Sequence, residues 1–209
     1  MAKPREDRLK IREEVAALKR QRTLDAATDL FYDKGYTNTT LDDVAEVLGV
    51  TKPFIYANVG SKSALLTEIC SLGVHGALEQ IEFVLAQDLP PAEALRLFVP
   101  RYVTAILRRQ KSIAINIREE KNLEPADAER LAELRQRFMS RVESLLAAGK
   151  DAGEIQVSDP RVSAFAIVGA VSWATFWFNP AGTLSVAQIA ERMSLVILNL
   201  VRDGRSAAD

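Results

Sequence analysis

The stretch TTLDDVAEVLGVTKPFIY, Thr39 to Tyr56, carries two short helical patterns joined almost without a linker. Leu41, Val44, Ala45 and Leu48 fall at the spacing of one helix face. Gly49 breaks that rhythm, Val50 follows, and Thr51 opens a second pattern. Thr40 is placed to N-cap the first helix, with Asp43 at N3 forming an approximate capping box. Thr51 is placed to repeat the device, and Pro53 falls in the following first turn, where a missing N–H costs nothing. Ala45 and Gly49 are small residues where two helix backbones must approach at a steep angle, and Val50 fills the corner. These features specify a helix-turn-helix, whose second helix is short because it need only lie in a DNA major groove. That helix presents Thr51, Lys52, Pro53 and Tyr56 outward, with Ile55 as its anchor. Ser61 then opens a longer helix with Lys62 in its first turn, where free N–H groups and an ammonium suit a phosphate. Taken singly, Tyr56 reads as a packing residue and Lys62 as a solvated charge. Together, at this spacing, they point to DNA.

Helical periodicity recurs along the rest of the chain, and strand signals are nearly absent. Leu24, Ala27, Thr28 and Phe31 mark the inner stripe of a first helix that ends at Gly35. After Ser61 a long helix runs toward Gln87 and stops at Pro90-Pro91. Further helices are expected over Ala92 to Gln110, over 112–121, from Glu124 to Ala148, from Val162 to Phe178 and from Ser185 to Arg202. The expected fold is all-α with about nine helices. A helix-turn-helix domain with a basic arm occupies residues 1–62, and a larger helical domain occupies 63–209.

Charge is distributed unevenly. Residues 1–22 hold eight Lys/Arg against four acids, a net +4, whereas the whole chain carries −1. A basic arm beside an acidic body suits a partner that touches one end, and residues 1–20 are expected to be mobile without DNA. A solvated tail is the plainer alternative. The single cysteine, Cys70, excludes a disulfide framework and a cysteine-based metal cage, and no cofactor or metal site is expected. The N-terminus lacks the apolar core of a secretory signal. Val162 to Ala190 contains no charged residue, but Asn179-Pro180-Ala181-Gly182 cuts it to a span too short and too diluted by Ser and Thr for a convincing membrane crossing. Burial against a second subunit accounts for it better, and the expected location is cytoplasmic. His75 is the sole histidine, and Cys70 lies about 140° away around a helix, so the two form no local nucleophile–base pair. Catalytic motifs are absent, and an enzyme is not expected. A purely structural helical adaptor would leave the recognition helix unexplained.

Arg22 to Ile69 resembles the N-terminal domain of TetR-family transcriptional repressors. The resemblance rests on Ala26, Ala27, Leu30, Phe31, Gly35 and Tyr36; on Thr39, Thr40, Val44 and Ala45; on Gly49, Val50, Thr51, Ile55 and Tyr56; and on Ser61, Lys62 and Leu65. Where the family usually has Tyr-x-His-Phe, this chain has Tyr56-Ala57-Asn58-Val59. The smaller Val59 implies adjusted packing, and Asn58 can donate a hydrogen bond to phosphate but carries no charge. The resemblance implies DNA contacts by Thr39, Thr40, Thr51, Lys52, Pro53, Tyr56, Asn58 and Lys62. It also implies a homodimer on a double-stranded, partly palindromic operator, built by pairing of the last two helices, whose apolar character fits such a seam.

The resemblance further implies a small-molecule effector enclosed by the C-terminal domain. NIREEKNL, Asn116 to Leu123, and SWATFWFNPAGTLSVAQIAE, Ser172 to Glu191, are loosely similar to TetR regulators that respond to acyl-CoA thioesters. Phe98, Tyr102, Ile106, Ile117, Phe138, Trp173 and Trp177 are candidates for an apolar slot. Arg108, Arg109 and above all Arg118 are candidates for a phosphate clamp. Core packing and surface charge are the plainer roles for these residues. A hydrophobic or aromatic effector without CoA is the alternative ligand.

Overall fold

The computed structural model describes residues 3–203. Its order is α1 (Lys3–Lys34), α2 (Leu41–Leu48), α3 (Lys52–Val59), α4 (Lys62–Leu85), α5 (Pro91–Arg108), α6 (Gln110–Glu119), a 3-10 turn over Glu120–Asn122, α7 (Pro125–Asp151), β1 (Ile155–Gln156), α8 (Pro160–Trp177), α9 (Val186–Leu200) and β2 (Arg202–Asp203). The described residues thus hold nine α-helices and an unanticipated two-residue antiparallel pairing of β1 with β2, Ile155 opposite Asp203.

The basic segment departs from expectation. It is the N-terminal half of α1, helical from Lys3, rather than an irregular arm; residues 1 and 2 lie outside the described residues. The reason is local. No Gly or Pro falls between Arg5 and Lys34, and Leu, Lys, Arg, Glu and Ala dominate the first half. Gln21 Nε2 donates to Asp25 Oδ1 at 2.8 Å, one turn on. Residues 10–22 are exposed, and burial begins at Thr23 and Leu24.

Two compact units divide the chain. The first comprises the chain up to Cys70 together with Ala114–Asp127; the second comprises Ser71–Ile113 and the chain from Ala128 onward. The division therefore falls within α4, later than residue 62, which is where α4 begins. In the first unit α1, α2 and α3 pack on one another. Ala27, Phe31, Val44, Ile55, Leu65 and Ile69 are almost wholly buried there. Burying each large apolar side chain contributes about 1.5–3 kcal/mol, which is what allows helices of eight residues to persist.

In the second unit α5 lies against α8 and α9. Its core joins Phe98, Val99, Tyr102 and Val103 of α5 to Phe138 and Val142 of α7, Ile167 and Val171 of α8, and Ile197 of α9. Helix ends are capped within the unit. Asp159 accepts from the Arg161 and Val162 N–H groups, and Ser185 forms a capping box with Gln188. Gln110 Nε2 donates to the Thr175 and Phe178 carbonyls at 2.6 and 2.8 Å, satisfying acceptors at the end of α8. No described helix is long and apolar enough to cross a membrane.

Candidate DNA-binding face and effector core

The capping box at α2 forms as its sequence specifies. The Asp43 N–H donates to Thr40 Oγ1 at 3.1 Å, and the Thr40 N–H donates to Asp43 Oδ2 at 2.6 Å. The Thr40 hydroxyl and then the Thr40 N–H hold the Asp43 carboxyl below its ordinary pKa, with Lys34 adding a smaller push. Gly49 ends α2 with φ +64°, and nothing lies within 4 Å of where its Cβ would be. The glycine therefore serves a left-handed backbone, not the close helix approach expected of it. Thr51 occupies the N-cap position of α3, but its side chain makes no capping bond. Ser61 does cap, accepting from the Ala64 N–H at 3.0 Å.

The outward face of α3 matches the sequence reading. Thr51, Lys52 and Pro53 are exposed, Tyr56 is 51% exposed, and Ile55 is fully buried beneath them. Lys62 is half-buried at the start of α4, its Nζ 4.3 Å from the centre of the Tyr36 ring and donating to the Thr37 carbonyl at 3.4 Å. Burial, then Glu124 and Glu119, raises the Tyr36 pKa above its ordinary value.

Two of the expected DNA contacts also make hydrogen bonds within the fold. Thr39 is fully buried, and its hydroxyl donates to the Gly35 and Leu30 carbonyls at 2.9 and 3.3 Å. Asn58 Nδ2 donates to the Phe54 carbonyl at 2.7 Å, and its own carbonyl accepts from Arg20 Nη1 at 2.9 Å. Arg20 also pairs with Glu68, its Nε donating to Oε1 at 3.0 Å, so it fastens α1 to α3 and α4 rather than serving in an arm. Asp42, which the sequence reading passed over, accepts from Lys52 Nζ at 2.7 Å. This hydrogen bond is the first cause of the raised Lys52 pKa. Its ten-residue separation crosses the turn, so helical spacing gave no hint of it.

The expected effector residues separate into several groups. Phe98, Tyr102, Ile106 and Phe138 share the core of the second unit, with Phe98 and Tyr102 stacked at 5.3 Å and Phe138 at 5.2 Å from Tyr102. Burial raises the Tyr102 hydroxyl far above its ordinary pKa, opposed by a hydrogen bond with Ser172. Trp173 and Trp177 are instead on the surface, 64% and 52% exposed, because α8 turns Ala164, Ile167, Val171 and Ala174 inward. Arg118 belongs to the first unit with Ile117, which is 53% exposed. Arg118 Nη2 donates to the Tyr32 carbonyl at 3.1 Å, and the guanidinium lies 5.1 Å from the Tyr32 ring. Arg109 lies across Gly76 of α4, where an added Cβ would come within 2.8 Å of the guanidinium. A shallow, open pocket elsewhere in the second unit is lined by residues that include Ala92, Leu95, Glu154 and Leu198, and by none of the expected set.

Comparison with known proteins agrees with this geometry. Residues 24–69 match the family of bacterial regulatory proteins of the tetR type, and residues 88–201 match the tetracyclin repressor-like C-terminal domain. The HTH-type transcriptional repressor KstR2 of Rhodococcus jostii (strain RHA1) is 25% identical over 183 residues, 87% of this chain and 90% of the relative. The TetR-family regulator PfmR of Thermus thermophilus superposes with a TM-score of 0.77 at 28% identity, over 85% of this chain and 97% of that one. AibR, solved with isovaleryl coenzyme A and operator DNA, superposes with a TM-score of 0.71 at 28% identity, again over 85% and 97%. The chain belongs to the TetR family: it is a helix-turn-helix transcriptional regulator and not an enzyme.

Proposed function

We propose that the chain is a cytoplasmic, ligand-responsive repressor that binds a partly palindromic operator as a homodimer and is released by a small-molecule effector. The observation that carries this reading is the exposed start of α3, with Thr51, Lys52, Pro53 and Tyr56 outward on a buried Ile55. The apolar outer face of α8 and α9 supports the dimer. Val162, Phe165, Trp173, Phe176, Trp177, Leu195, Val196 and Leu200 are 52–69% exposed. So large an apolar surface calls for a cover, and a second copy supplies a self-complementary one. Two recognition helices would then meet the major groove about one turn, roughly 34 Å, apart.

An acyl-CoA thioester is the first candidate effector. The operator complex of AibR with isovaleryl coenzyme A, at 28% identity, supports it, as does the aromatic core around Tyr102. A hydrophobic or aromatic molecule without CoA is favoured by a different observation: Arg118, the arginine expected in the phosphate clamp, is engaged at Tyr32. Titrating the operator complex with acyl-CoA, the matching free acid and CoA alone separates the two. Release by thioester far below the acid concentration supports the clamp. Equal release by acid and thioester leaves the simple hydrophobic effector.

A further inference from the structure

We infer that Asp42 and Lys52 act as one unit that reads a single G·C base pair in each operator half-site, making Asp42 a specificity-determining residue outside the recognition helix. The inference rests on the DNA-binding reading above. Lys52 is the first residue of α3, and in a helix-turn-helix the N-terminal residues of the second helix meet the base edges. Its Nζ is bonded to Asp42 Oδ2 at 2.7 Å, so the carboxylate arrives at the same place. Both side chains are open, 47% and 62% exposed, and an ion pair so exposed contributes little to folding.

A carboxylate in the first turn of α2 suits the helix N-terminus, but on a face turned to DNA the phosphates oppose it. From Thr39 to Lys62 the chain has three acids, Asp42, Asp43 and Glu46, against two lysines, Lys52 and Lys62. Asp43 is accounted for by the capping box, whereas Asp42 takes no part in that cap. Its partner is the lysine that faces the groove.

The major-groove edge of a G·C pair presents two acceptors, N7 and O6 of guanine, and then the N4 amino donor of cytosine. O6 and N4 lie one hydrogen bond apart across the base pair. An ammonium beside a carboxylate at 2.7 Å has the complementary order. Lys52 donates to the guanine acceptors, and Asp42 accepts from cytosine N4. An A·T pair breaks this match: its order is acceptor, donor, acceptor, which sets thymine O4 and the thymine methyl against the carboxylate.

The test is selection from a random-sequence duplex library with the full chain, followed by affinity measurements on the selected sites. Wild type, Asp42→Ala, Asp42→Asn, Lys52→Ala and the double alanine variant are compared, with melting curves to confirm folding. The expected wild-type site holds one G·C pair per half-site whose replacement by A·T weakens binding roughly tenfold or more. Each single variant should remove that preference, and the double variant should remove no more than either single one. Asp42→Ala should also tighten binding to a scrambled duplex, since a negative charge leaves the phosphates. An Asp42→Ala protein that selects the same site with the same base preference overturns the inference, as does an additive loss in the double variant. A wild-type protein that enriches no sequence at all sinks the DNA-binding reading itself, a different and separately visible failure.

Discussion

At the scale of single residues, the α2 cap shows how a side chain acts on fold and face together. Thr40 satisfies the Asp43 N–H, so Thr40→Ala should cost about 1 kcal/mol of stability, read from denaturant midpoints. The Asp43 contribution carries a pH signature. Its folded pKa is lowered, so the stabilisation is present above the unfolded value and is lost as pH falls through the folded one. Wild type and Asp43→Asn should therefore differ by a constant amount near neutrality and converge below about pH 4, near the ordinary carboxylate value. Lys62 is a phosphate candidate steadied on the Tyr36 ring. Lys62→Ala should weaken binding to every sequence and lower the salt slope by about one unit for each phosphate the lysine neutralises, whereas an unchanged slope would remove Lys62 from the interface. Thr40, Pro53 and Ser61 were legible in sequence because a cap or a proline at a helix start acts within one turn. Thr39 and Asn58 show an equally local habit: Thr and Asn can point at a ligand or bond back to the carbonyl four residues earlier, and here both bond back. Arg118 bonds back to the Ala114 carbonyl but also reaches the Tyr32 carbonyl, 86 residues away and beyond any local pattern.

At the scale of elements, helix existence was plain from the apolar spacing, but the length of α1 was not. Its outer half, residues 10–22, buries nothing, so no stripe announced it, and charge-rich helix formers alone extend it. Lys19, 5.5 Å from the Phe54 ring, and Arg20, on Asn58 and Glu68, mark where the extension joins the domain. A chain lacking residues 1–18 should therefore melt like the intact protein yet bind DNA more weakly at moderate salt, since Lys10 and Arg12 go with it. Undiminished affinity in fluorescence anisotropy would make the extension a bystander. The β1–β2 pair was invisible because two residues carry no period. It is nonetheless anchored: Ile155 is buried, and a Cβ added at Gly149 of α7 would lie 2.7 Å from its Cγ1 and closer still to its Cδ1. Gly149→Ala should therefore destabilise by about 1–3 kcal/mol, outweighing the roughly 1 kcal/mol that alanine gains in a helix interior. A higher melting temperature in that variant would show that Ile155 moves aside freely.

At the scale of the whole molecule, the sequence marked Val162 to Ala190 as uncharged and suited to burial against a second subunit, but not which residues would face it. Both faces of α8 are apolar, so periodicity could not say which side was core. Packing settled it by size: Ala164, Val171 and Ala174 fit beneath α5, and the bulky Phe165, Trp173 and Phe176 point out. The aromatics read as an effector slot thus support the proposed subunit seam, and the effector reading contracts to the core around Tyr102. Because Trp173 and Trp177 are the chain's only two tryptophans, the seam has its own reporter. Phe165→Glu combined with Leu195→Glu places carboxylates on the outer faces of α8 and α9, at positions 57% and 60% exposed within the subunit, so the monomer fold should be spared. The double variant should sediment as a monomer at concentrations where wild type is a dimer, and its tryptophan emission should move to the red as the seam opens to water. With the subunits no longer linked, each half-site is bound separately, and affinity for a palindromic operator should fall on the order of 10²-fold or more. Single half-site affinity should be unchanged. A variant that remains dimeric, with unshifted emission and full operator affinity, would place the subunit contact somewhere other than α8 and α9.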